Sequence, residues 1–378
     1  MRFFHLSDLH LGIRLRDHDL RDDQLHILNQ IVQAAADEKP DAVLIAGDVF
    51  DKSDPGPDAV AMFSDFVTAL KEAVPEAAIM IISGNHDNGE RINLYQDILK
   101  IAGVYVAGRL QNGGPECVTL HDEDGPVHFY LLPFVRPGAV RAMLDAETPL
   151  TYAQAVDRLV SATEAPEGER RVLVSHQFYV PAGEAAEDVE RMDSELPQRG
   201  NLDAVPGEIL SAFNYAALGH IHKPMRVGER AWYCGTPLAY SLSERGQHKS
   251  IVAVDLLADG EPEIERLPLR PLHAVRRLEG TLDEVTGQPS GDYIEVILTG
   301  EKNTDSTVIS SRLRHAFPRL LGYRHAVDMT QPAAGEAVHF ERRQIDPMQL
   351  CIDFLGDDAD EENQRILAEI LAELEENK

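Results

Sequence analysis

Cysteine is nearly absent from this sequence. Cys117, Cys234 and Cys351 are the only three in 378 residues, far apart and without a C-x-x-C pair, so neither a disulfide framework nor a thiolate zinc site is expected. No apolar run approaches the roughly 20 residues that cross a bilayer, so no membrane partner is expected. A G-x-x-x-x-G-K-[ST] loop is also missing, so any ATP chemistry must belong to another chain. Positive charge is scarce: 35 Lys and Arg stand against 64 Asp and Glu, leaving −29. That balance argues against binding nucleic acid by bulk electrostatics alone, since phosphate contacts need cations. The Met-Arg start enters a strand-like run at once and leaves no room for a signal peptide, so a cytoplasmic location is expected.

What is present is a soluble, globular composition, 43% apolar and 26% charged, long enough for a large α/β domain and one or two smaller pieces. The charge is uneven. Residues 346–378 carry eleven acidic and two basic side chains, whereas 271–345 carry ten and nine. Three prolines across 262–274 mark the change. The expected organisation is therefore a main domain over 1–270, a small α+β domain over 271–345 and a helical tail over 346–378.

Within the main domain, five strand-like apolar runs each end in metal-ligand residue types. Residues 2–7 lead to Asp8 and His10, 41–46 to Asp48, and 78–83 to Asn85 and His86. Residues 171–175 lead to His176, and 215–218 to His220 and His222. In extended backbone, residues two apart project to one side, so each such pair can face one point. His5 lies inside the first strand, where a satisfied core histidine is expected. Helical spacing covers 20–37, 58–73, 91–101, 138–146 and 151–164, with a smaller β region at 104–135 and a long acidic loop at 181–207. Strands alternating with helices define an α/β class, and such sheets place their sites at the C-terminal strand ends.

Carboxylates, imidazoles and one amide without thiolates suit Mn²⁺, Fe²⁺ or Zn²⁺. This many ligands exceeds what one catalytic ion with an open position takes. They fit two ions sharing a bridging carboxylate about 3.5–4 Å apart, a device for displacement at phosphorus.

In order, D-L-H at 8–10, G-D-V-F-D at 47–51, G-N-H-D at 84–87, S-H at 175–176 and G-H-I-H at 219–222 resemble the calcineurin-like metallophosphoesterase family over roughly residues 1–255. The resemblance implies a four-layer sandwich of helices and sheets. It implies that Asp8, His10 and His222 hold one ion, that Asn85, His176 and His220 hold the other, and that Asp48 bridges. His86 would be the catalytic histidine that binds no metal, and Asp87 would orient its neighbours. Mn²⁺ is the foremost ion, with Mg²⁺, Fe²⁺ and Zn²⁺ open.

Pro133-Phe-Val-Arg-Pro137, Tyr233-Cys-Gly-Thr-Pro237, Ser241-Leu-Ser-Glu244 and Lys249-Ser250 bring the chain nearer to the family's DNA-processing nucleases. That likeness implies double-strand exonuclease and single-strand endonuclease activity at the nucleoid, with a separate ATPase as partner. It further implies a homodimer within a two-plus-two heterotetramer. Met62, Phe63, Phe66, Leu94, Tyr95 and Ile98 on the helices at 58–73 and 91–101 are the candidate dimer contacts. Residues 271–345 would cap the site, with Arg312, Arg314, Arg319 and Arg324 toward DNA. In the tail, Leu350, Phe354 and Leu355 form one apolar stripe and Ile366, Leu367, Ile370, Leu371 and Leu374 another, both docking on the ATPase. The alternative, a phosphodiesterase acting on small cyclic nucleotides, keeps every metal motif but has little use for 271–378.

Overall fold

Short apolar runs bounded by glycine and polar residues fall into two six-stranded sheets. The computed structural model describes residues 1–110, 113–195, 203–300 and 305–326. In the first sheet β1 (Arg2–Leu6), β4 (Ala42–Ala46), β5 (Ala78–Ile82) and β6 (Val104–Ala107) run parallel. Beside β1 lie β15 (Ser250–Leu256) and β16 (Pro262–Pro268), in antiparallel register. In the second, β8 (Gly125–Leu132), β9 (Arg170–His176), β12 (Tyr215–Gly219) and β14 (Ala231–Tyr233) run parallel. Its edges are the antiparallel β7 (Glu116–Asp122) and β13 (Met225–Arg226).

Alternation along the strands sorts the core into layers. Phe4, Leu6, Val43, Ile45, Ile79 and Ile81 share a cluster with buried residues of α1 (Arg21–Glu38) and α2 (Pro57–Ala73). Their neighbours Phe3, Leu44, Ala46, Met80 and Ile82 instead meet Phe129, Leu131, Val172, Val174 and Ala217 of the second sheet. The far face of that sheet, with Tyr130, Leu173, Ala216 and Leu218, packs with α5 (Pro137–Met143) and α6 (Tyr152–Ser161). The result is helix, sheet, sheet, helix. Because most of these strands are covered on both faces, they read as continuous apolar runs. His5 is such a core histidine, with Nδ1 2.9 Å from the Tyr215 hydroxyl and Nε2 3.1 Å from the Leu218 carbonyl.

Two expectations are corrected. Residues 104–135 are not a separate β region, since β6 extends the first sheet and β7 and β8 belong to the second. The helix expected over 91–101 is broken into α3 (Gly89–Ile92) and α4 (Gln96–Ile101). Asn88 caps α3 through its side chain, Asn93 turns its own side chain to the Gly108 amide, and Tyr95 is left-handed with φ 61°. Among the dimer candidates, Met62 and Phe66 are core and Phe63 packs on it, whereas Leu94, Tyr95 and Ile98 are 59–67% exposed.

Smaller pieces complete the described chain. They include a hairpin of β2 (Arg14–Leu15) with β3 (His18–Asp19), and the pair β10 (Phe178–Val180) and β11 (Ala204–Pro206). A parallel sheet of β17 (Val275–Gly280), β18 (Tyr293–Leu298) and β19 (Leu320–His325) carries α7 (Leu282–Thr286) and α8 (Ser306–Ala316) over its own core. It is tied to α1 through Asp23, which accepts from the His273 amide at 3.0 Å and the Tyr293 hydroxyl at 2.9 Å. The tail and its two apolar stripes lie outside the described residues. Among the described residues no helix is long and apolar enough to cross a membrane.

Candidate metal centre

The C-terminal ends of β1, β4 and β5 in one sheet and of β9 and β12 in the other converge on one point. The backbone there is not extended. Asp8, His10, Asp48 and His220 have φ of 53°, 41°, 47° and 101°, in a left-handed region that costs about 1–3 kcal/mol for a residue other than glycine. His220 meets Asn85 and His176, whereas His222 meets His10 and Asp8, so the two histidines go to different partners. Two glycines allow the close approach: a Cβ on Gly84 would lie 2.1 Å from Asp48 Oδ1, and one on Gly219 2.0 Å from the Ala46 carbonyl oxygen.

All the expected ligand residues are brought together. His10 Nε2 and His222 Nε2 are 3.2 Å apart, with Asp8 Oδ1 at 3.9 and 3.8 Å from them. On the other side His176 Nε2 lies 3.2 Å from Asp48 Oδ2 and 3.1 Å from Asn85 Oδ1. Asn85 Oδ1 is also 2.9 Å from His220 Nδ1. Between the two sets sits Asp48 Oδ2, 3.6 Å from His10 Nε2. The donors fit divalent cations. Two imidazole nitrogens 3.2 Å apart can share only one proton, so at least one lone pair points into a cluster already lined by carboxylate oxygens.

The far side of each ring is fixed. His176 Nδ1 donates to the Ala46 carbonyl at 2.7 Å, and His86 Nδ1 to the Asp51 carbonyl at 2.8 Å. His222 Nδ1 is 2.7 Å from Ser194 Oγ, which itself donates to Glu244 at 2.7 Å and so accepts from the ring. Such outer hydrogen bonds set which nitrogen faces the centre. Asp87 accepts from the amides of Val49, Phe50 and Gly84 at 2.9–3.0 Å, the orienting role expected of it.

Burial and neighbouring charge divide the titrations. Burial raises the Asp8 carboxyl and pushes His10 and His220 well below the usual imidazole range. For Asp48 burial acts upward too, but the His176 charge outweighs it and holds the carboxyl below its ordinary range. Conversely, burial works against the His176 proton, yet Asp48 lifts its pKa to about 9.

Several supporting residues escaped sequence reasoning. Ser194 comes from the acidic loop, which showed no ligand spacing. Glu244 and Lys249 stood in quoted motifs without a role; they form a buried ion pair at 2.7 Å directly behind His222. Asp51 groups with His10 and His86. The four arginines are spread along α8 and β19 and the turn between them. Arg312 pairs with Asp283 at 2.6 Å and Arg319 donates to the Gly291 carbonyl at 2.9 Å, while Arg314 and Arg324 are exposed.

Residues 1–224 match the family described as calcineurin-like phosphoesterase, and the chain belongs to that family. A nearer likeness is to the SbcD subunit of the SbcCD nuclease of Staphylococcus epidermidis, 26% identical over 336 residues and covering 86% of each chain. This bears out the sequence resemblance to the family's nucleases. Among solved structures, TT1561 of Thermus thermophilus aligns with a TM-score of 0.40 and 12% identity, over 71% of this chain and 99% of that one. GAP50, the anchor in the inner membrane complex of Plasmodium, aligns with a TM-score of 0.40 and 13% identity, over 88% and 98%.

Proposed function

We propose that the chain is a two-metal phosphodiesterase that cleaves DNA, an SbcD-type nuclease acting with an SbcC-type ATPase in DNA end processing. The observation that carries this reading is the place of Asp48 Oδ2, 3.2 Å from His176 Nε2 and 3.6 Å from His10 Nε2, where one carboxylate can serve both half-sites. Asp8, His10 and His222 would hold one ion, and Asn85, His176 and His220 the other. Mn²⁺ suits this mixture of oxygen and imidazole donors. Two such ions supply activation of water and neutralisation of phosphoryl charge. His86, partly exposed with Nδ1 committed to the Asp51 carbonyl, keeps Nε2 for the scissile phosphate and for a proton on the leaving oxygen.

The ATPase partner, the DNA substrate and the dimer within a two-plus-two heterotetramer rest on the motif resemblance; that the relative is a subunit of a nuclease supports the nuclease activity and a partner subunit. Of the four arginines, Arg314 and Arg324 are exposed while Arg312 and Arg319 are engaged within the domain, so the first two are assigned to phosphate contacts. The test is cleavage of linear duplex and single-stranded DNA by the purified chain with Mn²⁺, beside a cyclic nucleotide. We expect metal-dependent cutting of both DNAs. Hydrolysis of the cyclic nucleotide alone would establish the small-molecule alternative.

A further inference from the structure

The loop between β10 and β11 buries polar atoms that neither half-site uses. The Arg191 guanidinium lies 3.8 Å over the Phe178 ring, and its side chain is 12% exposed. None of its three nitrogens has a hydrogen-bond partner among the described residues. The nearest charges are Asp203 Oδ2, 3.6 Å from Nη2, and Glu195 Oε2, 4.0 Å from Nε. Asp203 Oδ1 and Glu195 Oε2 are likewise buried without partners there, as is Nε2 of His220. That nitrogen is 3.9 Å from Asp203 Oδ2. Glu195 meanwhile accepts from the His222 amide at 2.9 Å through its other oxygen. Each carboxylate beside Arg191 therefore reaches one histidine of the His-Ile-His segment.

His220 turns Nδ1 toward Asn85. A neutral histidine that offers the Nδ1 lone pair to a cation carries its proton on Nε2, and a buried N–H needs an acceptor. His222 presents the opposite nitrogen and has Ser194 behind it. For His220, Asp203 is the carboxylate within reach among the described residues. Arg191 meets Asp203 and Glu195, and Asp203 lies on the Nε2 side of His220, across the ring from Asn85, so the guanidinium is placed to hold the carboxylates.

We propose that Asp203 is a positioning residue for the half-site of His176, Asn85 and His220: its carboxylate, kept in the interior by Arg191, accepts the Nε2 proton of His220 and directs Nδ1 at the ion. This rests on the two-metal reading. Arg191, Ser194, Glu195 and Asp203 are then part of the metal site's outer support.

The test is Mn²⁺ titration of the metal-stripped full chain by calorimetry and electron paramagnetic resonance, with metal-free melting curves as the measure of folding. Wild type is expected to take two ions and show a coupled dinuclear signal. Asp203→Ala should bind the first ion as wild type and the second about 10–100-fold more weakly. Asp203→Asn, which keeps the size and one acceptor oxygen, should fall between and melt as wild type without metal; it decides the matter if the alanine variant does not fold. Two ions bound at wild-type affinity in the folded variants, or equal weakening of both, overturns the proposal while sparing the two-metal reading. Fewer than two ions in wild type overturns both.

Discussion

Replacing Glu244 by glutamine takes one charge out of a buried pair that sits behind His222. The Glu244 carboxylate has no exposure and accepts from Ser194, Thr236 and Lys249 at 2.7 Å, Ser241 at 3.0 Å and the Tyr240 amide at 3.2 Å. Its two oxygens are both occupied by donors, so whichever end becomes the amide NH₂ confronts a donor. Lys249 would keep hydrogen bonds to Thr236, Gln247 and the His222 carbonyl but lose its ion pair. Breaking one half of a buried pair costs about 3–5 kcal/mol. At about 2 °C per kcal/mol for a chain of this size, Glu244→Gln should melt roughly 6–10 °C below wild type. Changing both partners, as in Glu244→Gln with Lys249→Met, should recover part of the loss because no charge is then stranded. The assay is differential scanning calorimetry of metal-free protein. A fall under about 2 °C for the single variant, or a double variant worse than the sum of the singles, would refute the reasoning.

Four further outcomes are expected. Gly84→Ala places a methyl 2.1 Å from Asp48 Oδ1, so it should reduce cleavage about 100-fold by shifting the carboxylate proposed to bridge the ions; activity within threefold of wild type would count against that geometry. His86→Ala should bind Mn²⁺ with wild-type stoichiometry yet lose cleavage about 10²–10⁴-fold, and loss of an ion in titration would make it a ligand instead. Asp122 is held below the ordinary carboxylate range by hydrogen bonds from Arg170, with the N-terminal amine 2.9 Å away. Its stabilisation is complete above the unfolded pKa of about 3.9 and lost as pH falls further. The melting gap between wild type and Asp122→Asn should therefore close below about pH 4 rather than stay constant. Deleting residues 346–378 should abolish co-purification with an SbcC-type ATPase while leaving metal-dependent cleavage intact; unchanged co-purification would remove the tail from that interface.

The candidate site was legible because each candidate ligand follows an apolar run, and a strand buried on both faces leaves a nearly unbroken run. Phe3 and Phe4 point into different layers yet look alike in sequence. For the same reason the division of strands between two sheets could not be read off. Periodicity at 91–101 suggested one helix, but Asn93 spends its side chain on Gly108, fifteen residues away. The acidic loop was opaque for a similar reason. Ser194, Glu195 and Asp203 acquire meaning only when folding carries them to the His-Ile-His segment after β12, and nothing in their spacing encodes that approach. Arg312 and Arg319 are expected toward DNA, whereas Asp283 and the Gly291 carbonyl engage them in the fold.

The residues proposed as ligands leave from both sheets: Asp8 and His10 follow β1 while His222 follows β12, and these three meet in one group. An ion held there is a rivet through the seam of the sandwich. Sliding one sheet past the other by a fraction of an ångström would stretch ligand distances on one side before any apolar contact was lost. Metal occupancy and sheet alignment are thus one mechanical variable. An ion at one hundred times its dissociation constant would add about 2.7 kcal/mol against separation of the layers. By the same coupling, a remote core substitution that shears the layers would register first as a weaker grip on the metal.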